Sequence, residues 1–220
     1  CAMSTAAFDD VPGPREPAFA AMLQQNNARV VAELGVQRGW FARAVLATAI
    51  STVREYHLVD LWEQQENYVD PANVNNDVQK QYMLEAMTHL RPYRNVTVWH
   101  AGLTTHAATH VGVLDAVYID ARHDYCGVSE DLETYFPRMA RCSIMAGHDY
   151  YTAAETRAHD RYQDWSRCGN GTIHHGAVKG AVQDFHARLR ARSDVRVGDI
   201  HHLNEQREPF PSWAFTVEKL

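Results

Sequence analysis

Two hundred and twenty residues with a mass of 24.9 kDa suit one domain of ordinary size. With 45% hydrophobic and 22% charged residues, disordered and fibrous architectures are out. Twenty-seven acidic against 21 basic residues give a formal charge of −6, which offers no global attraction for nucleic acid or an anionic membrane.

Residues 1–28 are expected to form an N-terminal helical segment. Its first ten residues lack the basic and apolar stretches of a secretory leader. The expected address is therefore cytoplasmic, for a chain that reads as trimmed because it starts at Cys1. A strand is expected at 29–34, then an alanine-rich helix over 39–50. That helix is the most apolar stretch, but Arg43 interrupts it and it is too short to span a bilayer.

Further short apolar runs predict strands at 56–61, 96–100, 114–119, 143–146, 195–200 and 213–217. Helical spacing relates Met83, Met87 and Leu90, then Val128, Leu132, Tyr135 and Met139, then Val178, Val182, Phe185 and Leu189. Strand and helix alternate, with no repeat or Gly/Ser linker. A single α/β domain with a doubly wound, mainly parallel sheet is expected.

Two segments break the alternation. Residues 63–76 are polar, and 150–175 are aromatic and histidine-containing. Long connections in a compact domain commonly form lids or binding loops. The aromatic and basic residues Tyr150, Tyr151, Arg157, Arg161, Tyr162 and Trp165 are candidate substrate walls, the residues 150–175 acting as a lid.

The four cysteines are far apart and show no C-x-x-C pair, so reduced thiols are expected. The sequons at Asn95 and Asn170 read as chance, the first because it lies in a strand expected to be buried. Thirteen histidines exceed the usual complement and point towards chemistry.

Three motifs carry that chemistry. Glu33-x-Gly35-x-x-x-Gly39 joins the first strand to a helix through a glycine turn. It is not the dinucleotide fingerprint, and a carboxylate two residues before the turn would repel a phosphate. It suits a cationic cofactor such as S-adenosylmethionine; close helix packing is the alternative reason for the glycines. Asp60 ends the second strand, 21 residues beyond Gly39. It is placed either to bind ribose hydroxyls or to cap a helix.

The third motif is the most specific. Asp120-Ala-Arg-His123 and Gly147-His148-Asp149 close two apolar strands. Adjacent strands would bring Asp120, His148 and Asp149 together as oxygen and nitrogen ligands for a divalent metal. His123 would then be free to take a proton. Loop capping is the alternative for Asp120 and His123.

These motifs, together with Tyr125-x-x-Val128-x-x-Asp131-Leu132, Pro137 and Gly180-Ala-Val182-x-x-Phe185, resemble the class I S-adenosylmethionine-dependent methyltransferases. The resemblance runs from about Val30 to the last strand. It lies closest to the branch of metal-dependent O-methyltransferases of sugars and macrolides. It implies a seven-stranded sheet with the last strand antiparallel, and cofactor contacts from Glu33, Gly35, Gly39 and Asp60, with Gly102 and Leu103 near the adenine. It further implies Mg²⁺ at Asp120 and the two residues ending the next strand, with His123 as general base.

This chain departs from that pattern at His148, where the branch has an acid. Imidazole suits Mn²⁺, Fe²⁺ or Zn²⁺ better than Mg²⁺. A different metal, a site held by Asp120 and Asp149 alone, or no metal at all remain open. The expected function is methylation of a small hydroxylated acceptor by an enzyme acting on neither nucleic acid nor membrane, as a monomer or homo-oligomer. A metal-dependent hydrolase or oxygenase and a non-catalytic relative of the same fold are the alternatives.

Overall fold

The computed structural model describes residues 1, 3–5, 14–203 and 210–220. Residues 2 and 6–13 of the expected N-terminal helical segment lie outside them; within it a helix, α1, spans Arg15–Gln25. The chain then alternates β1 (Val30–Leu34), α2 (Trp40–Ala49), β2 (Glu55–Asp60), α3 (Asn76–Leu90), β3 (Thr97–Ala101), α4 (Thr104–Ala107) and β4 (Leu114–Ile119). It continues with α5 (Tyr125–Tyr135), β5 (Met139–Gly147), α6 (Ala153–His159), α7 (Ala177–Arg190), β6 (Val195–Val197), β7 (His201–Leu203) and β8 (Ser212–Lys219).

The eight strands among the described residues form one sheet in the order β3-β2-β1-β4-β5-β8-β6, with β7 also pairing β8. β1 to β5 pair in parallel, and β8 runs antiparallel to β5, β6 and β7. The expected doubly wound sheet with an antiparallel last strand is present, with one strand more than expected. Of the expected strand 195–200 only Val195–Val197 forms, and a second short strand follows it at His201–Leu203. At Gly198 between them, a Cβ would lie 2.6 Å from Thr216 Oγ1 of β8, so the backbone there closes directly on its neighbour.

Strand alternation divides the core between two faces. Val31, Tyr56, Leu58, Ala116 and Tyr118 pack under α1, α2 and α3. Ala32, Val59, Val117, Met145 and Phe215 pack against α5 and α7. Polar side chains set several helix starts: Asn75 accepts the Val78 N–H at 3.1 Å, Asp124 accepts that of Gly127 at 3.1 Å, and Thr152 with Glu155 forms a capping box.

Two expectations fail. β3 is the edge strand and only partly buried, so Asn95 is exposed rather than enclosed. The cysteines are not reduced thiols: Cys1 bonds Cys142 and Cys126 bonds Cys168. Their sequence separations of 141 and 42 leave no local spacing to read; the fold alone brings the partners together. No helix among the described residues is long and apolar enough to cross a membrane.

Candidate active site

The strand order reverses between β1 and β4, and there the loops leaving their C-terminal ends part into a crevice. A cleft of about 540 Å³ occupies it. Of the residues expected to act, Glu33, Gly35, Asp60, Gly102, Leu103, Asp120, His123, His148 and Asp149 line this cleft. Gly39 does not. It starts α2 at φ +73°, and a Cβ there would meet the Ala86 Cα at 3.1 Å, so it serves the packing of α2 on α3.

Gly35 is tighter still. At φ +91° a Cβ would stand 1.9 Å from the Asp120 carbonyl oxygen, so only glycine lets β1 turn beneath the end of β4. Just before this turn, Glu33 is buried and accepts the Tyr56 hydroxyl at 2.6 Å through Oε2. Its Oε1 is buried without a hydrogen-bond partner among the described residues. Burial pushes the Glu33 carboxyl up to about 8, against the Tyr56 hydrogen bond and with the Asp120 charge adding to the rise.

Asp60 ties the turn down from the neighbouring strand. Its Oδ2 accepts the Val36 and Gln37 N–H groups at 2.8 and 2.7 Å, and its Oδ1 accepts that of Trp62 at 2.8 Å. The capping role considered for Asp60 is thus realised as a loop clamp, while the carboxylate still faces the cleft.

The ends of β4 and β5 build the polar centre. His123 Nε2 lies 3.3 Å from Asp120 Oδ1 and 3.0 Å from Asp149 Oδ2. On the other side of the ring, Nδ1 lies 3.1 Å from Asp70 Oδ2 and 3.0 Å from the Tyr68 hydroxyl. Burial pulls the His123 pKa down, but its surroundings reverse that and hold it well above the histidine range. The Tyr68 phenol is itself kept protonated by burial, so the carboxylates of Asp149 and Asp120 carry the effect. Asp149 stays well below the carboxylate range: burial opposes its charge, and His148 and His123 outweigh burial. Asp149 adopts φ +60°, an uncommon left-handed conformation for a residue other than glycine or asparagine.

Asp120, His148 and Asp149 each offer a ligand atom within 4.8 Å of the others, the set expected of a metal centre. Two carboxylates and one imidazole fit a divalent ion of borderline character. Asp124, Cys126 and Cys168 also cluster, but both sulfurs are consumed by their disulfide.

Several residues at the centre carried no sequence signal. Arg15 of α1 reaches across to Asp120 Oδ2 at 2.7 Å. Tyr68 and Asp70 arrive on the polar 61–75 connection, whose unusual length was the single clue. Of the expected substrate wall, Trp165 lines the cleft and donates its indole N–H to Asp70 Oδ2 at 3.0 Å. Tyr150, Tyr151, Arg157, Arg161 and Tyr162 do not line it.

A family model described as a methyltransferase domain matches residues 32–150, more than half of the chain. No curated protein matches the sequence. An O-methyltransferase from Bacillus cereus, solved in complex with SAH, is 13% identical with a TM-score of 0.65 over 98% of this chain and 87% of that one. The O-methyltransferase TomG from Streptomyces achromogenes, involved in tomaymycin synthesis and solved with SAM, is 13% identical with a TM-score of 0.64 over the same shares of the two chains. At that identity the likeness establishes a common fold.

Proposed function

Since the chain belongs to the methyltransferase-domain family, we propose that it transfers the methyl group of S-adenosylmethionine to a hydroxyl of a small molecule, with His123 taking the proton. One juxtaposition carries this reading. A buried carboxyl with an unpaired oxygen, Glu33, shares a cleft with an imidazole whose Nε2 is set between two carboxylates. The first suits the ammonium of an amino-acid tail and the second suits deprotonation of an alcohol. The relatives solved with SAH and SAM support the cofactor.

Methyl transfer from a sulfonium is an in-line displacement that needs orientation and a nucleophilic acceptor oxygen. Glu33 holds the cofactor's ammonium, the Gly35 turn lets its tail lie against the backbone, and Asp60 accepts from the ribose. An alcohol is a poor nucleophile at neutral pH, so the acceptor must lose its proton during attack. His123 accepts it at Nε2, while Asp70 at Nδ1 fixes the ring. The carboxylates keep a proton on the resting imidazole, so abstraction draws on its neutral form. Tyr68, Trp165 and Phe210 give the acceptor aromatic walls.

Asp120, His148 and Asp149 would hold a divalent cation, with Mn²⁺ better suited than Mg²⁺ because of the imidazole. Such an ion, when bound, lowers the pKa of a hydroxyl beside it. The two disulfides weigh against the cytoplasmic address expected from the sequence, because such bonds persist where thiol-reducing systems are absent.

Incubation with methyl-labelled S-adenosylmethionine and a panel of phenols, polyols and glycosides tests the proposal. Acceptor-dependent formation of S-adenosylhomocysteine is expected, reduced about a hundredfold or more in His123→Ala with cofactor affinity preserved. Labelling confined to carboxyl, amine or thiol acceptors would overturn the hydroxyl assignment.

A further inference from the structure

Arg122 lies next to His123 in the chain and lines the same cleft, and its guanidinium is held from several sides. Nε donates to Asp124 Oδ2 at 2.5 Å, and Nη1 donates to Gln65 Oε1 at 3.1 Å. The guanidinium carbon sits 4.7 Å from the centre of the Tyr68 ring. A Cβ at Gly169 would lie 3.6 Å from that carbon and 3.7 Å from both terminal nitrogens, so the backbone beside the Cys126–Cys168 bond passes over the group. One nitrogen is left over. Nη2 is buried with no hydrogen-bond partner among the described residues.

A desolvated guanidinium nitrogen with nothing to accept from it is costly unless a ligand brings the acceptor. Asp124 does not remove the need: its hydrogen bond to Arg122 uses Nε, and its Oδ1 accepts the Gly127 N–H at the start of α5. The place of Arg122 says which ligand suits it. The Tyr68 hydroxyl lies 3.0 Å from His123 Nδ1, while the face of the same ring carries the guanidinium. An acceptor whose hydroxyl meets His123 therefore has a fixed cation one aromatic ring away. We propose that Arg122 selects acceptors bearing a carboxylate, Nη2 donating to a carboxylate oxygen while His123 receives the proton of the hydroxyl. The substrate class is then the small hydroxylated carboxylic acid. The assignment rests on the hydroxyl-methylation reading given above.

The chemistry is selective. A guanidinium held flat against an aromatic ring loses little freedom on binding, and its hydrogen bond to a carboxylate is charge-assisted. A dianionic phosphate suits the place less, because one free nitrogen of a group already paired with Asp124 would face the second charge. A role limited to pinning the 61–75 connection onto α5 would need Nε and Nη1 alone and would leave Nη2 without an acceptor.

Initial rates of methyl transfer to matched acceptors test the assignment: protocatechuate against its primary amide, and glucuronate against glucuronamide. Each amide keeps the hydroxyls and removes the charge. The wild type is expected to favour the acid by about tenfold or more in kcat/KM, since the amide loses the charge-assisted hydrogen bond. Arg122→Gln is expected to bring each pair within about threefold, the change residing in KM. Arg122→Lys keeps a cation beside Asp124 and is expected to fall between the two. Equal rates within the wild-type pairs, an undiminished acid preference in Arg122→Gln, or turnover confined to neutral phenols and polyols would overturn the role of Arg122 and leave the hydroxyl reading intact. Absence of transfer to any hydroxylated acceptor would remove that reading and this assignment together.

Discussion

Arg15 and Asp120, 105 residues apart, meet in an ion pair of 2.7 Å at the centre of the cleft. The guanidinium holds Asp120 Oδ2 while His123 holds Oδ1, so both oxygens of the first expected metal ligand already face cationic donors. A divalent ion at Asp120, His148 and Asp149 must displace Arg15 from Oδ2. A charged hydrogen bond is worth about 1.5–3 kcal/mol, so Arg15→Gln is expected to raise Mn²⁺ affinity about tenfold or more. Titration followed by electron paramagnetic resonance reads this directly. Weaker or unchanged Mn²⁺ binding would mean that Arg15 does not compete for the site.

The cofactor contact proposed for Glu33 would make binding sensitive to pH. The folded protein holds its proton up to about 8, whereas the ordinary value is 4.5. Between these values the unfolded chain releases a proton that the folded chain keeps. Stability from this group is therefore complete below about 4.5 and is lost as pH rises through about 8. An ammonium beside Glu33 favours the carboxylate, so ligand binding expels the proton. S-adenosylhomocysteine affinity should climb between pH 6 and 8, by up to about tenfold per pH unit, and flatten above. Glu33→Gln should abolish that climb and bind more weakly throughout. A pH-independent wild type in calorimetry would contradict the role given to Glu33.

Gly35→Ala tests the turn. The new methyl meets the Asp120 carbonyl, and the backbone stands at φ +91°, so neither a rotamer change nor a small loop shift relieves it. Destabilisation of at least about 3 kcal/mol is expected, seen as a thermal midpoint lower by roughly 10 °C. A variant melting with the wild type would show that the turn is laxer than described.

The Cys126–Cys168 bond joins the start of α5, two residues after Asp124, to the segment that carries Trp165. Closing a loop of that length restrains the unfolded chain by about 4 kcal/mol in the chain-entropy model. The double variant Cys126→Ser, Cys168→Ser should lose a comparable amount in urea unfolding. Wild-type and variant midpoints that coincide would show the bond to be absent in solution.

How much of this was legible follows from where each signal lies. β1, β4 and β5 are buried on both faces, so their apolar runs stand out, and the acids that follow them mark the cleft edge without further information. Glu33, Asp120, His123, His148 and Asp149 were readable for that reason. β3 misled because Val96, Val98 and Trp99 look like a buried strand, although the fold leaves this strand at the sheet edge. The disulfides and the Arg15–Asp120 pair depend on contacts across more than a hundred residues in two of three cases, which no local pattern encodes. Asp131 belonged to the motif from the start, but its contact with the Thr104 hydroxyl is a property of the packing of α5 against the turn that leaves β3.

Calorimetric titration of the purified chain with S-adenosylhomocysteine, with and without Mn²⁺, tests the central claim most directly. Micromolar binding is expected in both conditions, because Glu33, Asp60 and the Gly35 turn are assembled without an ion. No binding in either condition would contradict the assignment of this cleft to the adenosyl cofactor.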